Sequence, residues 1–241
     1  HVHTEYSLVD GVLRIDSERR DDGSLLREGL VDACARMGMP AVAVTDHVNL
    51  FAQVKFQKAA MAAGIKPILG ADILLRRQPG EIPALLTLLI MNGQGYKNLI
   101  EIISAAYQHG QELGVPLSTV ATVEKYADGL IALSGGASGD VGQSLLAGHM
   151  DEAEQHVRFW QTLFPNRYYL EVHRTGREQD ETYLHAAVNL ATQCECPVVA
   201  TNDVRFLEKE HFGAHETRVC IGEGRVLDDQ KRRVLTELGR Y

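Results

Sequence analysis

Histidine and aspartate side chains recur in this sequence where apolar segments end, and their types suit metal-assisted hydrolysis of phosphoesters. His1 and His3 flank Val2, so on an extended segment both imidazoles point to the same side. Further candidates later in the chain are Asp10, His47, Asp72 and Asp203. Imidazole nitrogens mixed with carboxylate oxygens suit zinc, manganese or iron, and clusters of such ions hydrolyse phosphate esters by activating water. The set predicts a metal centre.

Other polar groups are weaker candidates for this centre. The histidines at positions 109, 149, 156 and 185 fall in or beside helical segments, where capping, packing or solvent exposure explains them. His173 and Glu171 share one face of a predicted strand, and the sequence leaves open whether His173 reaches the metal centre. The glycines after Ser134 either offer backbone amides to an anion or form an ordinary turn. No P-loop, nucleophile elbow, CxxC knuckle or dinucleotide fingerprint occurs.

Short apolar runs rich in Val, Ile and Leu alternate with segments of helical period. The predicted strands cover residues 1–4, 41–45, 67–75, 85–91, 130–134, 168–173 and 197–202. The predicted helices cover residues 24–37, 53–63, 95–109, 151–164, 178–194 and 208–221. Ser24 is the expected N-cap of the first helix, and Gly38 and Gly64 are expected just past the ends of the first two.

This alternation predicts an α/β fold built from βα units around a parallel sheet. Seven strands favour a closed or nearly closed barrel, whose active site lies where the strands end, and an open doubly wound sheet is the alternative. A chain of 241 residues, 45% hydrophobic, can bury one core, so we expect one domain. That domain is expected to cover residues 1–221, followed by a polar linker at 222–241.

Charge and cysteine content limit the possible partners and the compartment. A net charge of -8 argues against direct DNA binding by this piece, because nucleic-acid surfaces gain affinity from Lys and Arg. The basic clusters Arg76-Arg77 and residues 231–233 are interpreted as solvated turns or tails. The four cysteines include one C-x-C pair, Cys194 and Cys196, and the others are scattered. With no long apolar run, this favours a reduced, cytoplasmic protein without a membrane span.

Six segments together resemble one known family. They are HVHTEYSLVDG, AVTDHVNL, IKPILGADILL, MNGQGYKNLIEIISAAY, GLIALSGG and PVVATNDVRFL, and they occur in the family's order. From residue 1 to about residue 229 the chain is similar to the PHP (polymerase and histidinol phosphatase) domain of the bacterial DNA polymerase III alpha family. The segment around residues 92–107 is typical of the replicative branch. The resemblance implies a distorted seven-stranded (β/α) TIM-like barrel with a trinuclear metal site, at the N-terminus of a much larger polymerase.

The resemblance also implies which residues bind metal and where the pattern fails. The family's ligands are matched here by His1, His3, Asp10, His47, Asp72 and Asp203. Asp72 stands where many members have glutamate. Arg205 replaces a histidine, and its guanidinium cannot ligate a cation. Gly136 stands where metal-competent members often have Cys or His, and Leu85 where a histidine is expected.

With three ligands missing, we expect a degenerate metal site that holds zinc or manganese at partial occupancy or not at all. Arg205 is expected to pair with Asp203. The parent would be a DNA-directed DNA polymerase, a nucleotidyltransferase, whose palm carboxylates this chain lacks. The domain is then a structural and interaction module, whose partners are the rest of the polymerase chain and the proofreading exonuclease subunit epsilon.

Two other functions compete with this module. The first alternative is an active metal-dependent phosphoesterase, either a pyrophosphatase or a 3′ to 5′ exonuclease, because five candidate ligands are intact. The weaker alternative is a free-standing relative of histidinol phosphatase.

Overall fold

The computed structural model describes residues 1–77 and 80–229. Its strands are β1 (Glu18–Arg19), β2 (Leu25–Arg27), β3 (Ala41–His47), β4 (Lys66–Arg76), β5 (Ala84–Ile90), β6 (Gln111–Glu112), β7 (Val115–Pro116), β8 (Ser118–Thr119), β9 (Leu130–Leu133), β10 (Tyr168–Val172) and β11 (Val198–Ala200). Its helices are α1 (Leu30–Arg36), α2 (Gln53–Ala62), α3 (Gly93–His109), α4 (Val120–Lys125), α5 (Asp140–Leu146), α6 (Met150–Leu163), α7 (Asp180–Gln193) and α8 (Phe212–Gly222). Two 3₁₀ helices cover Gly136–Ser138 and Lys209–His211. None of the described helices is both long and apolar enough to span a bilayer.

The chain divides into two compact units. The first contains His1–Leu69 and the described residues from Asn202 onward, and the second contains Gly70–Thr201. The boundary falls inside β4. The predicted limits of the domain, 1–221, and of the linker, 222–241, stay predictions, and residues 230–241 lie outside the described part of the chain.

In the first unit, the predicted strand at residues 1–4 forms only isolated bridges. Val2 pairs with Val204, and Thr4 pairs with Leu13. The predicted N-cap at Ser24 is wrong, because residues 25–27 form β2, which pairs antiparallel with β1. Helix α1 instead begins at Leu30 after Gly29, and no side chain caps it. The apolar residues Val42 and Val44 of β3 enter a core with Phe56 and Ala60 of α2.

Two glycines in this unit end helices as predicted. Gly38 follows α1 with φ 69°, and Gly64 follows α2 with φ 74°. Both values lie in the left-handed region, which glycine adopts without a steric penalty.

In the second unit the sheet is mixed, so the prediction of a parallel sheet is partly wrong. Strand β10 is parallel to β9 and β11, and the short β8 is parallel to β4. Strand β5 is antiparallel to both β4 and β9. The connection from β4 to β5, residues 77–83, is too short for a parallel crossover, which needs a dozen residues or more. Five of the other predicted strands, and β5 itself, occur within a few residues of their expected bounds.

Helix α3 packs on this sheet through features of the segment at residues 92–107. The Asn92 side chain caps the helix by accepting bonds from the backbone N–H groups of Gln94 and Gly95, both at 3.0 Å. A Cβ on Gly95 would lie 1.9 Å from the Gly129 carbonyl oxygen, so only glycine permits this approach. Asn98 donates to the Asp128 carbonyl at 2.8 Å. The segment therefore fastens α3 to the turn before β9.

Candidate metal centre

The first two histidines lie side by side, as predicted. His3 N–H donates to the Val204 carbonyl at 2.9 Å, and Val204 N–H donates to the His1 carbonyl at 3.0 Å. This pairing keeps the segment extended, with Val2 packed against the core of the first unit. The imidazole rings of His1 and His3 are parallel within 2°, with centroids 6.1 Å apart. Both therefore face the same side.

His47, the last residue of β3, adds a third imidazole. Its ring stacks on that of the buried His3 with centroids 4.2 Å apart. The backbone of β3 reaches the histidine segment, because Thr45 N–H donates to the Val2 carbonyl at 3.0 Å. Three of the predicted ligands thus form a row in the first unit.

Arg205 lies among the remaining candidates of this unit. Its Nη2 is 2.9 Å from Asp203 Oδ1, which is the expected ion pair. Its Nη1 donates to Asp10 Oδ2 and lies 3.0 Å from His47 Nε2. The arginine side chain is only 15% exposed, so water screens these contacts little. One guanidinium therefore holds two carboxylates and an imidazole.

The neighbouring charges keep Asp10 ionised. Burial alone would raise the pKa of Asp10, but the His47 imidazole, whose Nε2 lies 3.5 Å from Asp10 Oδ2, and the charge of Arg205 outweigh it and hold that pKa well below the usual range. The second oxygen, Oδ1, is buried and accepts no hydrogen bond from the described residues. An unsatisfied carboxylate oxygen is an atom that a cation could use.

Asp46, which precedes His47, has a structural role that the sequence did not predict. Its carboxylate is fully buried and accepts bonds from Thr4 N–H at 2.6 Å, Thr4 Oγ1 at 2.7 Å and Ser7 Oγ at 2.7 Å. Burial outweighs these bonds and raises the pKa of Asp46. Ser7 Oγ also accepts the His47 N–H at 3.1 Å and lies 3.2 Å from His3 Nδ1. Asp46 and Ser7 thus position two imidazoles.

Helix α8 holds the loop that carries Asp10. His215 Nδ1 donates to the Asp10 carbonyl at 2.8 Å, and burial lowers the pKa of His215, which favours the neutral ring. Arg218 donates to the carbonyls of Leu8 and Glu5, each at 3.1 Å. Nothing in the local sequence pattern distinguishes these side chains, because their partners lie more than 200 positions earlier.

The second unit contains the other predicted positions. Asp72 is buried in the middle of β4, opposite Thr87, and accepts a 2.6 Å bond from the threonine hydroxyl. Glu171 is also buried, and its N–H donates to Ser134 Oγ at 2.9 Å. Of the weaker histidine candidates, His149 and His185 are exposed, as expected, and lie 3.3 Å from Glu152 and 3.9 Å from Glu181.

The turn after β9 explains why a ligand is absent at position 136. Gly135 and Gly136 have φ of 73° and 59°, values that strain any other residue. A Cβ on Gly136 would lie 2.4 Å from His173 Cε1. A Cβ on Gly135 would lie 2.2 Å from the Leu85 carbonyl oxygen. The glycines thus form a tight turn that other residues would strain.

These geometries test whether the first unit suits metal ions. Asp10, Asp203 and His47 all direct an atom at the Arg205 guanidinium, and a divalent cation placed among them would meet a fixed positive charge. With Arg205 in place, these three residues fit a guanidinium and do not fit a cluster of ions. His1, His3 and Asp10 Oδ1 are the groups whose chemistry still suits a cation.

Comparison with known proteins identifies the class. Residues 1–175 match the PHP domain family, and the chain belongs to that family. It is 51% identical over 232 residues to DNA polymerase III subunit alpha of Pseudomonas aeruginosa, 46% identical to that of Escherichia coli K12, and 40% identical over 231 residues to that of Haemophilus influenzae. These matches cover 95–96% of the chain but only 19% of each relative. The resemblance seen in the sequence is confirmed.

Solved structures support the fold. A crystal structure of a metal-dependent phosphoesterase from Bifidobacterium adolescentis matches with a TM-score of 0.54 at 12% identity, covering 84% of this chain and 85% of that one. An amidohydrolase from Chromobacterium violaceum matches with a TM-score of 0.53 at 11% identity, covering 90% and 95%. At such identity the likeness concerns the fold alone. The predicted α/β fold of the TIM-like PHP type is confirmed.

Proposed function

We propose that this chain serves DNA replication in the cytoplasm as the N-terminal PHP domain of a replicative DNA polymerase III alpha subunit. In that role it is a structural and interaction module that contacts the rest of the polymerase chain, docks the proofreading exonuclease subunit epsilon and makes no direct DNA contact. The observation that carries this proposal is the guanidinium of Arg205 between Asp10 and Asp203. The net charge of -8 agrees with the lack of a DNA contact.

Arg205 supplies permanently the positive charge that these carboxylates would otherwise take from a metal ion. An arginine does not lose its proton in a protein and has no lone pair for a cation. A divalent ion would activate water and clamp phosphate oxygens, and those are the steps a phosphoesterase needs. In this chain, Arg205 instead joins Asp10 to His47 and Asp203, which are the residues that would hold such an ion. The proposed metal site is therefore degenerate, with little or no zinc or manganese.

An active phosphoesterase, either a pyrophosphatase or a 3′ to 5′ exonuclease, is the second candidate. It is favoured by the row of His1, His3 and His47 and by the unsatisfied Asp10 Oδ1. On that view, Arg205 moves out when ions bind.

Metal analysis separates the two candidates. The complete polymerase chain is purified without chelator, its zinc and manganese are measured by elemental mass spectrometry, and hydrolysis of a phosphodiester is assayed. We expect well under one equivalent of metal and no hydrolysis that depends on His3. Two or more equivalents, together with cleavage that is lost in His3→Ala, would refute the degenerate site.

Replacing the arginine gives the same comparison within one chain. Arg205→His should raise bound zinc, because it removes the guanidinium and restores an imidazole, and His3→Ala in that background should remove the gain. Arg158→His, at an exposed arginine of α6, is the matched control and should leave the metal content unchanged. A histidine at position 136 is a poor choice for restoration, because the left-handed turn would strain it and its Cβ would lie 2.4 Å from the His173 ring.

A further inference from the structure

Helix α2 presents an exposed apolar row to solvent. Val54, Lys58 and Met61 are spaced by four and three residues and so share one helix face, and Phe51 lies three residues before Val54. Phe51, Val54 and Met61 are 62%, 59% and 64% exposed. The opposite face buries Phe56 and Ala60 in the core of the first unit. We call these four exposed residues the α2 outer face.

Phe51 is held outward by its neighbours. The buried Asn49 side chain accepts a bond from Phe51 N–H at 3.1 Å and donates to the carbonyls of Tyr6 and His47 at 3.0 and 2.9 Å. An aromatic ring on a backbone fixed in this way loses little conformational entropy when it is covered. Rigid exposed aromatic side chains are frequent anchors of protein interfaces.

The stretch of sequence that carries this face lacks acidic residues, in contrast to the chain as a whole. No aspartate or glutamate occurs between Asp46 and Asp72, although the chain has 32 acidic residues among 241 and a net charge of -8. That stretch carries Lys55, Lys58 and Lys66. Lys55 Nζ lies 3.3 Å from Asp16 and 3.8 Å from Glu5, whereas Lys58 stands within the apolar row. The face therefore complements apolar side chains accompanied by carboxylates.

We infer that the α2 outer face is a docking surface for a protein segment whose apolar side chains are flanked by carboxylates. The inference rests on the proposed function, in which the proofreading exonuclease is the protein that supplies the segment. Apolar contact with Phe51, Val54 and Met61 would give the affinity, and Lys58 would select the acidic segment. A nucleic acid fits less well, because three of the four side chains cannot contact a phosphate and the surrounding chain is acidic.

The test uses the complete polymerase chain and the purified exonuclease subunit of the same organism, with the dissociation constant measured by fluorescence anisotropy. Val54→Ser and Lys58→Glu should each weaken binding by about tenfold or more, and Lys58→Arg should not. Matched controls are Val188→Ser on α7 and Lys97→Glu on α3, which remove an exposed valine and an exposed lysine elsewhere. All five replace exposed side chains, so their thermal unfolding should resemble that of the unchanged chain.

Each outcome has a separate meaning. Loss in the α2 variants alone supports the docking surface. Binding that no α2 variant weakens overturns the α2 inference and leaves the proposed exonuclease docking standing. Absence of binding by the unchanged chain overturns the proposed docking, and the α2 inference with it. If Lys58→Glu instead weakens binding of a single-stranded oligonucleotide and leaves exonuclease binding unchanged, the face is a nucleic-acid contact and the inference is wrong.

Discussion

Arg205 places a fixed positive charge between two carboxylates and an imidazole in a poorly hydrated place. In such a place, removing one partner of an ion pair costs far more than the pair contributes at a surface, because the remaining charge stays buried. The Arg205 contacts to Asp10, Asp203 and His47 thus make this cluster of candidate ligands a structural element of the first unit.

A double-mutant cycle on Arg205 and Asp10 measures this role. We expect Arg205→Met and Asp10→Asn each to lower the free energy of unfolding by about 3 kcal/mol, and the double variant to lose less than the sum by about 2 kcal/mol. Urea unfolding followed by circular dichroism provides the values. The exposed pair Arg158 and Glu154 on α6 is the control, with an expected coupling of about 0.3–0.5 kcal/mol. Equal coupling in the two pairs would contradict the structural role.

Helix α3 illustrates how a segment with a family resemblance can have a purely structural cause. The Asn92 cap, the approach of Gly95 to Gly129 and the Asn98 bond to Asp128 all join the helix to one turn. None of these groups supplies chemistry. Their types are set by the space and the unpaired backbone groups at the start of the helix.

Two glycines at the start of α3 should respond oppositely to the same substitution. Gly95→Ala should destabilise the chain by about 1–3 kcal/mol or more, because the new Cβ would clash with the backbone oxygen of Gly129, and helix α3 and the turn before β9 are both packed in place. Gly93→Ala should be neutral or stabilising by about 0.4–1 kcal/mol, because nothing lies near its Cβ and alanine reduces the entropy of the unfolded chain. Thermal unfolding compares them. A Gly95→Ala variant as stable as Gly93→Ala would show that the approach is not required.

The four cysteines probe the packing of both units. Cys34 and Cys220 are buried in the first unit, and Cys194 and Cys196 are buried in the second, without a disulfide. Burial raises the pKa of the Cys34 and Cys194 thiols and raises that of Cys196 to about 11. Since only the thiolate reacts, the folded chain should keep its thiols unreactive near neutral pH.

Thiol titration with Ellman's reagent at pH 8 tests this packing. We expect no fast-reacting thiol in the folded chain and four in urea. Unfolded thiols lose their protons above about pH 8.5, while folded Cys196 keeps its proton to about 11, so the free energy of unfolding should fall as pH rises through this window. A fast-reacting thiol in the folded state, or stability that rises from pH 8.5 to 10, would refute the burial.

Much of the local structure could be read from the sequence. Apolar periodicity predicted six of the seven strands and the main helices. Gly38 and Gly64 end helices because glycine adopts a positive φ without a steric penalty. The orientation of the His1 and His3 rings toward the same side follows from their alternation with Val2. The Arg205 pair with Asp203 was also predicted, because Arg205 stands where the resemblance implies a histidine ligand and its guanidinium can pair with the nearby carboxylate.

Contacts between distant residues could not be read in this way. The antiparallel direction of β5 depends on the short connection after β4. Ser24 does not cap a helix, because residues 25–27 form a strand that pairs with β1. The contact of Arg205 with Asp10 joins residues 195 positions apart, and the turn at Gly136 depends on the ring of His173. Periodicity reports which side of an element is buried, but it does not report which element lies against it. The sequence alone therefore determined the elements and the family, whereas the tertiary structure decided that one guanidinium contacts Asp10, His47 and Asp203 together.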